Sequence, residues 1–271
     1  MSGKFTHYLI TRFNVPVKNW DRDKAGRPTL DDAWMRERIE LFRTYCVPSV
    51  ACQDQKDFTW IVYCDTETPD ATLQIIQQEV RRVKDVQVRQ AVDFEALLLD
   101  LRTLLLEVNT PHVITSRLDN DDGLGRHAIQ WIQSHFVAEH QVIINLSGGV
   151  LYDTRQKILT ELRHTTLNHY GSLIEHVNPG LACRTVLGFP HHQPPPDFRI
   201  IDVPCKRAWL KIIHDRNLKS RTAGIPVWSQ KINSYFGLDQ RAFPLSYSSM
   251  ARYLWQKAWG KVRHKVSSAT S

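Results

Sequence analysis

The chain has 271 residues, 42% of them hydrophobic, enough for one large α/β domain or two small ones. No apolar run approaches the roughly eighteen residues of a spanning helix, and the N-terminal MSGKFTHYLITRF has no signal-type apolar region, so the expected location is cytoplasmic. Of 35 Lys and Arg, six lie in the last thirty-one residues, after which the other 29 nearly balance 28 Asp and Glu; such a near-neutral globule, with no reading motif, argues against nucleic-acid binding.

Residues 7–13 (HYLITRF) read as a first strand ending in Arg12, and 19–28 as a polar loop. Asp31 or Asp32 caps a helix running to about Tyr45, with Trp34, Ile39, Leu41 and Phe42 on its apolar face and Pro48 as its stop. A buried strand follows at 58–64 (FTWIVYC), with Asp65 at its end. Pro69 opens a helix carrying Leu73, Ile76 and Val80, residues 86–88 form a short strand, and Asp93 starts a strongly apolar helix to about Asn109. The segment 111–123, PHVITSRLDNDDG, is a strand ending in carboxylates; a helix over 124–137 and a strand over 142–146 follow. The second half is less regular, with expected strands at 182–187 and 209–214 (WLKIIH), a proline-rich loop at 190–197 and a basic loop at 217–221. The five cysteines form no C-x-x-C pair, which argues for reduced thiols rather than a zinc site.

Strand and helix alternate through residue 146, which predicts a mostly parallel central sheet flanked by helices. Ligands of such sheets bind outside the strand carboxyl ends, where Arg12, Asp65 and the acidic motif all fall.

Asp119, Asp121 and Asp122 at the tip of a buried strand need an offsetting positive charge, for which Mg²⁺ or Mn²⁺ is the expected source. In an extended segment Asp119 and Asp121 project to one side, roughly 6–7 Å apart, suiting one for a metal and its neighbour for a sugar hydroxyl or a second metal position.

A D-x-D after a central strand in an α/β half is the organisation of nucleotide-sugar glycosyltransferases of the GT-A fold. HYLITRFNV, DFTWIVYCD, ITSRLDNDDGL and WLKIIHDRNLKSR, in that order from His7 to Arg221, resemble the bacterial family of putative rhamnosyl transferases. The resemblance implies a GT-A-like (Rossmann-like) single domain over 1–246, a nucleotide-diphosphate sugar donor (dTDP-rhamnose favoured) and a divalent metal, Mn²⁺ or Mg²⁺. It implies that Asp119, Asp121 and Asp122 bind metal and the ribose or diphosphate, with His214 completing the metal site. Asp65 is placed to contact the base, while Arg12, Arg117, Lys219 and Arg221 would meet the diphosphate. Asp121 is the expected catalytic metal ligand. An inverting reaction also needs a base, for which Glu175 in YGSLIEHVNPG is the candidate, with Asp153 and Asp202 as rivals; a retaining reaction needs none. The expected acceptor is a saccharide or lipid-linked saccharide of cell-surface polysaccharide synthesis.

Two other readings stand beside this one. DNDDG loosely resembles the motif of haloacid-dehalogenase-type phosphatases, although their nucleophile follows the first strand, and a non-catalytic sugar-nucleotide-binding scaffold would keep the same residues. A calcium loop fails because Gln130, not Glu, stands twelve positions along from Asp119. The segment 247–271 reads as a basic amphipathic helix with Met250, Leu254, Ala258 and Val262 spaced at four. It suits an anionic membrane surface, which would place the protein peripherally on the inner face of the cell membrane, or equally packing on its own domain.

Overall fold

A computed structural model describes residues 3–268 except 19, 21, 24, 164, 166, 179–182, 217–221, 229 and 230, and omits the side chains of 258 and 260–268. The first half follows the expected alternation: β1 (Thr6–Arg12), α1 (Asp32–Leu41), α2 (Val47–Ala51), β2 (Thr59–Asp65), α3 (Asp70–Val80), β3 (Val86–Ala91), α4 (Phe94–Leu106) and β4 (His112–Arg117). Asp31 caps α1 by accepting from the Trp34 amide at 2.7 Å, and Asp93 caps α4 through the Ala96 amide at 2.7 Å. Pro48 does not stop the first helix as expected. A wide π-turn over Phe42–Cys46 joins α1 to α2, with the Val47 amide reaching back to the Phe42 carbonyl, and so accommodates the proline within a continuous helical path.

The second half is more regular than its sequence suggests. It contains β5 (Gly123–Leu124), α5 (Ala128–Ser134), β6 (Val142–Leu146), β7 (Gly149–Asp153), β8 (Ile158–Leu162), β9 (Ser172–His176), β10 (Arg199–Val203), β11 (Trp209–Ile213), β12 (Ile225–Pro226), α6 (Ile232–Tyr235) and α7 (Tyr247–Ser268). The helix expected from 124 starts only at Ala128, because Gly123 and Leu124 pair instead with Leu210 and Trp209 of β11. The strand expected at 182–187 is not formed by its described residues, 183–187.

Among the described residues two sheets form. The larger has the order β10-β6-β9-β4-β1-β2-β3, in which only β9 runs antiparallel to its neighbours; the smaller has the order β12-β8-β7-β11-β5. The centre of the large sheet is buried on both faces by strict alternation. Leu9, Trp60, Val62 and Ile114 pack beneath α1, α3 and α5, while Ile10, Ile61, Tyr63 and Val113 pack against Leu97, Leu101 and Leu105 of α4. The expected class therefore holds: a mixed α/β fold with a central sheet flanked by helices. The acidic turn matters because it links the sheets, with β4 in one and β5 in the other.

Gly149 allows a second tie between the sheets. A Cβ there would lie 2.1 Å from the Trp209 indole, which lies over this residue of β7 and stacks on Tyr170 with ring centroids 4.9 Å apart. The Trp209 indole N–H donates to the Leu146 carbonyl at 2.9 Å.

A polar relay crosses the centre of the large sheet. His7 Nε2 lies 2.8 Å from Ser116 Oγ, which lies 2.6 Å from Ser172 Oγ on β9, while Gln133 Nε2 approaches His7 Nδ1 at 3.2 Å. Burial lowers the His7 pKa from 6.5 to about 3. The unfolded chain therefore binds a proton in this window that the fold does not, so the His7 contribution is complete above pH 6.5 and drains as pH falls toward 3. Urea unfolding should lose roughly 1 kcal/mol per pH unit from this source below pH 6.5, and His7→Gln should flatten the slope; an unaltered slope would refute the assignment.

Candidate active site

The motif is fixed to the ends of two central strands before any ligand is considered. The Leu118 amide donates to the Ile10 carbonyl at 3.0 Å, and Asn120 Nδ2 donates to the Phe13 carbonyl at 2.6 Å. Asp119 accepts the Asp122 amide on its backbone carbonyl at 3.2 Å, closing the turn.

Asp122 points inward with no exposure. Its Oδ2 accepts from the Tyr170 hydroxyl at 2.8 Å and Lys211 Nζ at 2.9 Å, and its Oδ1 from the Ile212 amide at 2.9 Å. The Lys211 ammonium also lies 3.1 Å from His169 Nε2. Burial works against the Lys211 charge, but Asp122, Asp119 and Asp121 outweigh it and raise the pKa above the ordinary lysine value. Burial and Lys211 together lower that of His169, favouring the neutral ring that can accept at Nε2.

Asp121 is held from the other side. Arg38 of α1 forms an ion pair with it and also donates to Asn120 Oδ1 at 3.1 Å. His214, just past β11, brings Nε2 to 2.8 Å from Asp121 Oδ2, while its Nδ1 accepts the Arg216 amide at 3.3 Å. Burial raises the Asp121 pKa, yet Arg38 and His214 hold it well below the usual carboxylate range.

Asp119 is the most open of the three carboxylates, and no hydrogen bond to its side chain occurs among the described residues. Burial raises its pKa, while Lys211 and Arg117 lower it further and keep it ionised. Arg12 lies within electrostatic reach of Asp119, Asp121, Arg38 and Arg117; it donates to the Val15 carbonyl at 3.0 Å and lies over the Trp20 ring. Three carboxylates thus meet four permanent cations, Arg12, Arg38, Arg117 and Lys211, leaving positive charge in excess. A cleft beside them is lined by Arg117, Asn168, His169, Phe189 and His191, the last supplied by the proline-rich loop. Burial and Arg117 push the His191 pKa down to about 4.

Other expected site residues are held by contacts of their own. The Asp65 carboxylate accepts from the Glu67 amide at 3.2 Å and caps its own turn. Glu175 is on β9. It is buried opposite Val113, roughly 13 Å along the strand from Arg117, and accepts the Arg184 and Thr185 amides at 2.7 and 2.8 Å. Burial raises its pKa, but both oxygens are committed to a loop, so it does not face the site as a base. Asp153 caps the turn after β7 and accepts from Thr222 at 2.6 Å; Asp202 lies on edge strand β10 and accepts from Asn145 at 2.7 Å. Lys219 and Arg221 lie outside the described residues.

Sequence reasoning missed Lys211, Arg38, His169 and Tyr170. Lys211 did leave a signal, as the one charged residue in WLKII, a strand otherwise apolar on both faces. One ligand atom each from Asp119, Asp122 and His169 lies within 4.8 Å of the others, a spacing that could bind a metal ion. His169 takes the place in that set that the sequence had given to His214, which pairs with Asp121.

Carboxylates and surplus cations thus gather outside the carboxyl ends of a mostly parallel α/β sheet, the place where ligands of such folds bind. A family model described as "putative rhamnosyl transferase" matches residues 6–225; the chain belongs to that family, which is one of glycosyltransferases. Among solved structures, the S. aureus TarS fragment 1–349 is similar at 15% identity and TM-score 0.40, covering 77% of this chain and 60% of that one. The same fragment has been solved with UDP-GlcNAc and with UDP. HddC from Yersinia pseudotuberculosis is similar at 11% identity and TM-score 0.38, covering 76% of this chain and 93% of that one. The inositol-1-phosphate CTP transferase from T. maritima is similar at 10% identity and TM-score 0.34, covering 78% and 90%. The chain spans 60% of the length of the TarS fragment. No curated protein matches it.

The different settings of the carboxylates separate their effects on stability. Asp122→Ala leaves Lys211 buried without its anion and should cost about 3–5 kcal/mol in urea unfolding. Asp119→Asn, at the open position, should cost under about 1 kcal/mol. Equal costs would contradict the division between a structural and a ligand-facing carboxylate.

Proposed function

We propose that the chain transfers a sugar from a nucleoside-diphosphate donor to an acceptor hydroxyl at the junction of the two sheets. The observation that carries this reading is the convergence of four permanent cations on an acidic motif with one carboxylate left open. A diphosphate fits the positive surplus, with Arg12 and Arg117 as its contacts and Lys219 and Arg221 as further basic candidates. Asp119 is suited to accept hydrogen bonds from ribose or sugar hydroxyls. The acceptor oxygen bonds to the anomeric carbon as the bond from that carbon to the diphosphate breaks. The diphosphate leaves with the electron pair, and the acceptor's proton passes to a departing diphosphate oxygen or to water. Fixed cations beside the departing oxygen stabilise the charge that develops there.

The family description favours rhamnose, which makes dTDP-rhamnose the first donor to test, with a saccharide or lipid-linked saccharide of a cell-surface polysaccharide as acceptor. A divalent ion, Mn²⁺ or Mg²⁺, on Asp119, Asp122 and His169 is the alternative source of positive charge, and it requires Lys211 to move aside. The C-terminal helix supports a second proposal, contact with an anionic membrane. Its early part is seated by buried Met250 and by Tyr253 and Lys257 bonds to the Gly224 carbonyl, while Trp255 and Trp259 stand 62% and 52% exposed. No helix among the described residues is long and apolar enough to cross a membrane.

A thermal-shift panel of dTDP, UDP and GDP and their sugars tests the donor. Saturating dTDP-rhamnose should raise Tm by about 5 °C or more, and Arg117→Ala with Asp119→Ala should abolish the shift. A shift with UDP or GDP sugars would instead reassign the sugar, and no shift with any nucleotide would overturn the donor site. For the tail, sedimentation with anionic but not neutral vesicles is expected, lost on Trp255→Ala with Trp259→Ala; equal sedimentation of that variant would remove the membrane proposal.

A further inference from the structure

We propose that Lys211 is the resident cation of this site, standing where a divalent ion would bind and making recognition of a nucleoside diphosphate independent of metal. The inference rests on the nucleotide-sugar reading above and assigns to one side chain the charge that the reading requires.

The first argument is positional. Trp209 and Ile213 flank Lys211 on the same face of β11 and pack into the main core, so an ammonium between them needs a built partner. Its Nζ lies 2.9 Å from Asp122 Oδ2 and 3.1 Å from His169 Nε2, on two of the three residues whose spacing would admit a metal. A hard divalent ion would need the same carboxylate oxygen at about 2.0–2.6 Å and would compete for the same imidazole nitrogen. Such an ion would share Asp122 with a full positive charge only a few ångströms away. With Lys211 in place, the residues do not fit a resident divalent metal.

The second argument is one of donor and acceptor capacity. Asp122 already receives Tyr170 and Lys211 on one oxygen and the Ile212 amide on the other. Asp121, the remaining buried carboxylate of the motif, is bound by Arg38 and His214. Neither is an open metal ligand. An ammonium has three N–H donors. Two of those of Lys211 are spent on Asp122 and His169, and the side chain keeps 15% exposure beside the open Asp119. The third is free, among the described residues, to meet a phosphate oxygen, with Arg117 across the same carboxylate as a second phosphate contact.

Two titrations of the full chain test this. Mn²⁺ binding is followed by electron paramagnetic resonance without nucleotide, and dTDP and UDP binding by calorimetry in EDTA and in Mn²⁺. Lys211→Met, which keeps the length of the side chain, is compared with the wild type. The wild type should take up no Mn²⁺, and its nucleotide affinity should change by less than about twofold between the buffers. Lys211→Met should lose affinity at least about tenfold in EDTA, bind Mn²⁺ through the vacated set, and regain nucleotide affinity with it. Mn²⁺ uptake by the wild type, or a tenfold fall in its nucleotide affinity in EDTA, would overturn the proposal; both readings stand even if the variant fails to fold. If neither dTDP nor UDP binds in either buffer, the donor reading fails, while the Mn²⁺ titration still decides the role of Lys211. Uptake by the variant alone supports it, and uptake by both or by neither overturns it.

Discussion

Asp122 carries a carboxylate with no exposure to water at the seam between two sheets, and a buried charge persists there only if it is paired and hydrogen-bonded. The pairing comes from both sides of the seam. Lys211 and the Ile212 amide belong to β11 of the small sheet, while Tyr170 lies just before β9 of the large one. The acidic turn is therefore the structural joint of the molecule as well as its most charged segment. Around it, the stack of Tyr170 on Trp209, with Gly149 leaving room for the indole, fixes the hydroxyl that the carboxylate requires.

This joint sets the electrostatics of the site. Neutralising Asp122 within the fold places an ammonium beside Asp119, and neutralising Asp121 draws Arg38 from α1 and His214 from the end of β11. Arg12 and Arg117 at adjacent strand ends then add charge that the motif does not consume. The result is a cluster of cations fixed by the fold, the kind of preorganised charge that the proposed transfer from a nucleoside diphosphate would use. The family match over residues 6–225 places this arrangement among glycosyltransferases.

Much of the first half was legible because its signals are local. Alternating β-branched strands and capped helices need only neighbouring residues to declare themselves, and the carboxyl ends follow directly. Arg12 and the three carboxylates were found in this way, Arg117 followed from the family resemblance, and the structure brings them within electrostatic reach of one another. The second half was harder because its strands are five residues or shorter and apolar without clear alternation. SLIEH is buried over its first four residues, and nothing local in it shows what Glu175 contacts: the expected base is a buried clamp on the 184–185 loop. Pro48 misled for a related reason: a proline stops an ideal helix, but a π-turn absorbs it.

By itself, the sequence determined the parallel half of the large sheet, the strand-end position of the acidic motif and the basic character of the C-terminal helix, since periodicity, capping and charge runs act over a few residues. Tertiary structure alone decided which carboxylate is spent on the fold and which faces a ligand. Lys211 lies 89 residues from Asp122 along the chain, and His214 lies 93 from Asp121. Pairing of buried charge is settled by which strands meet across the seam, and no local pattern encodes that meeting.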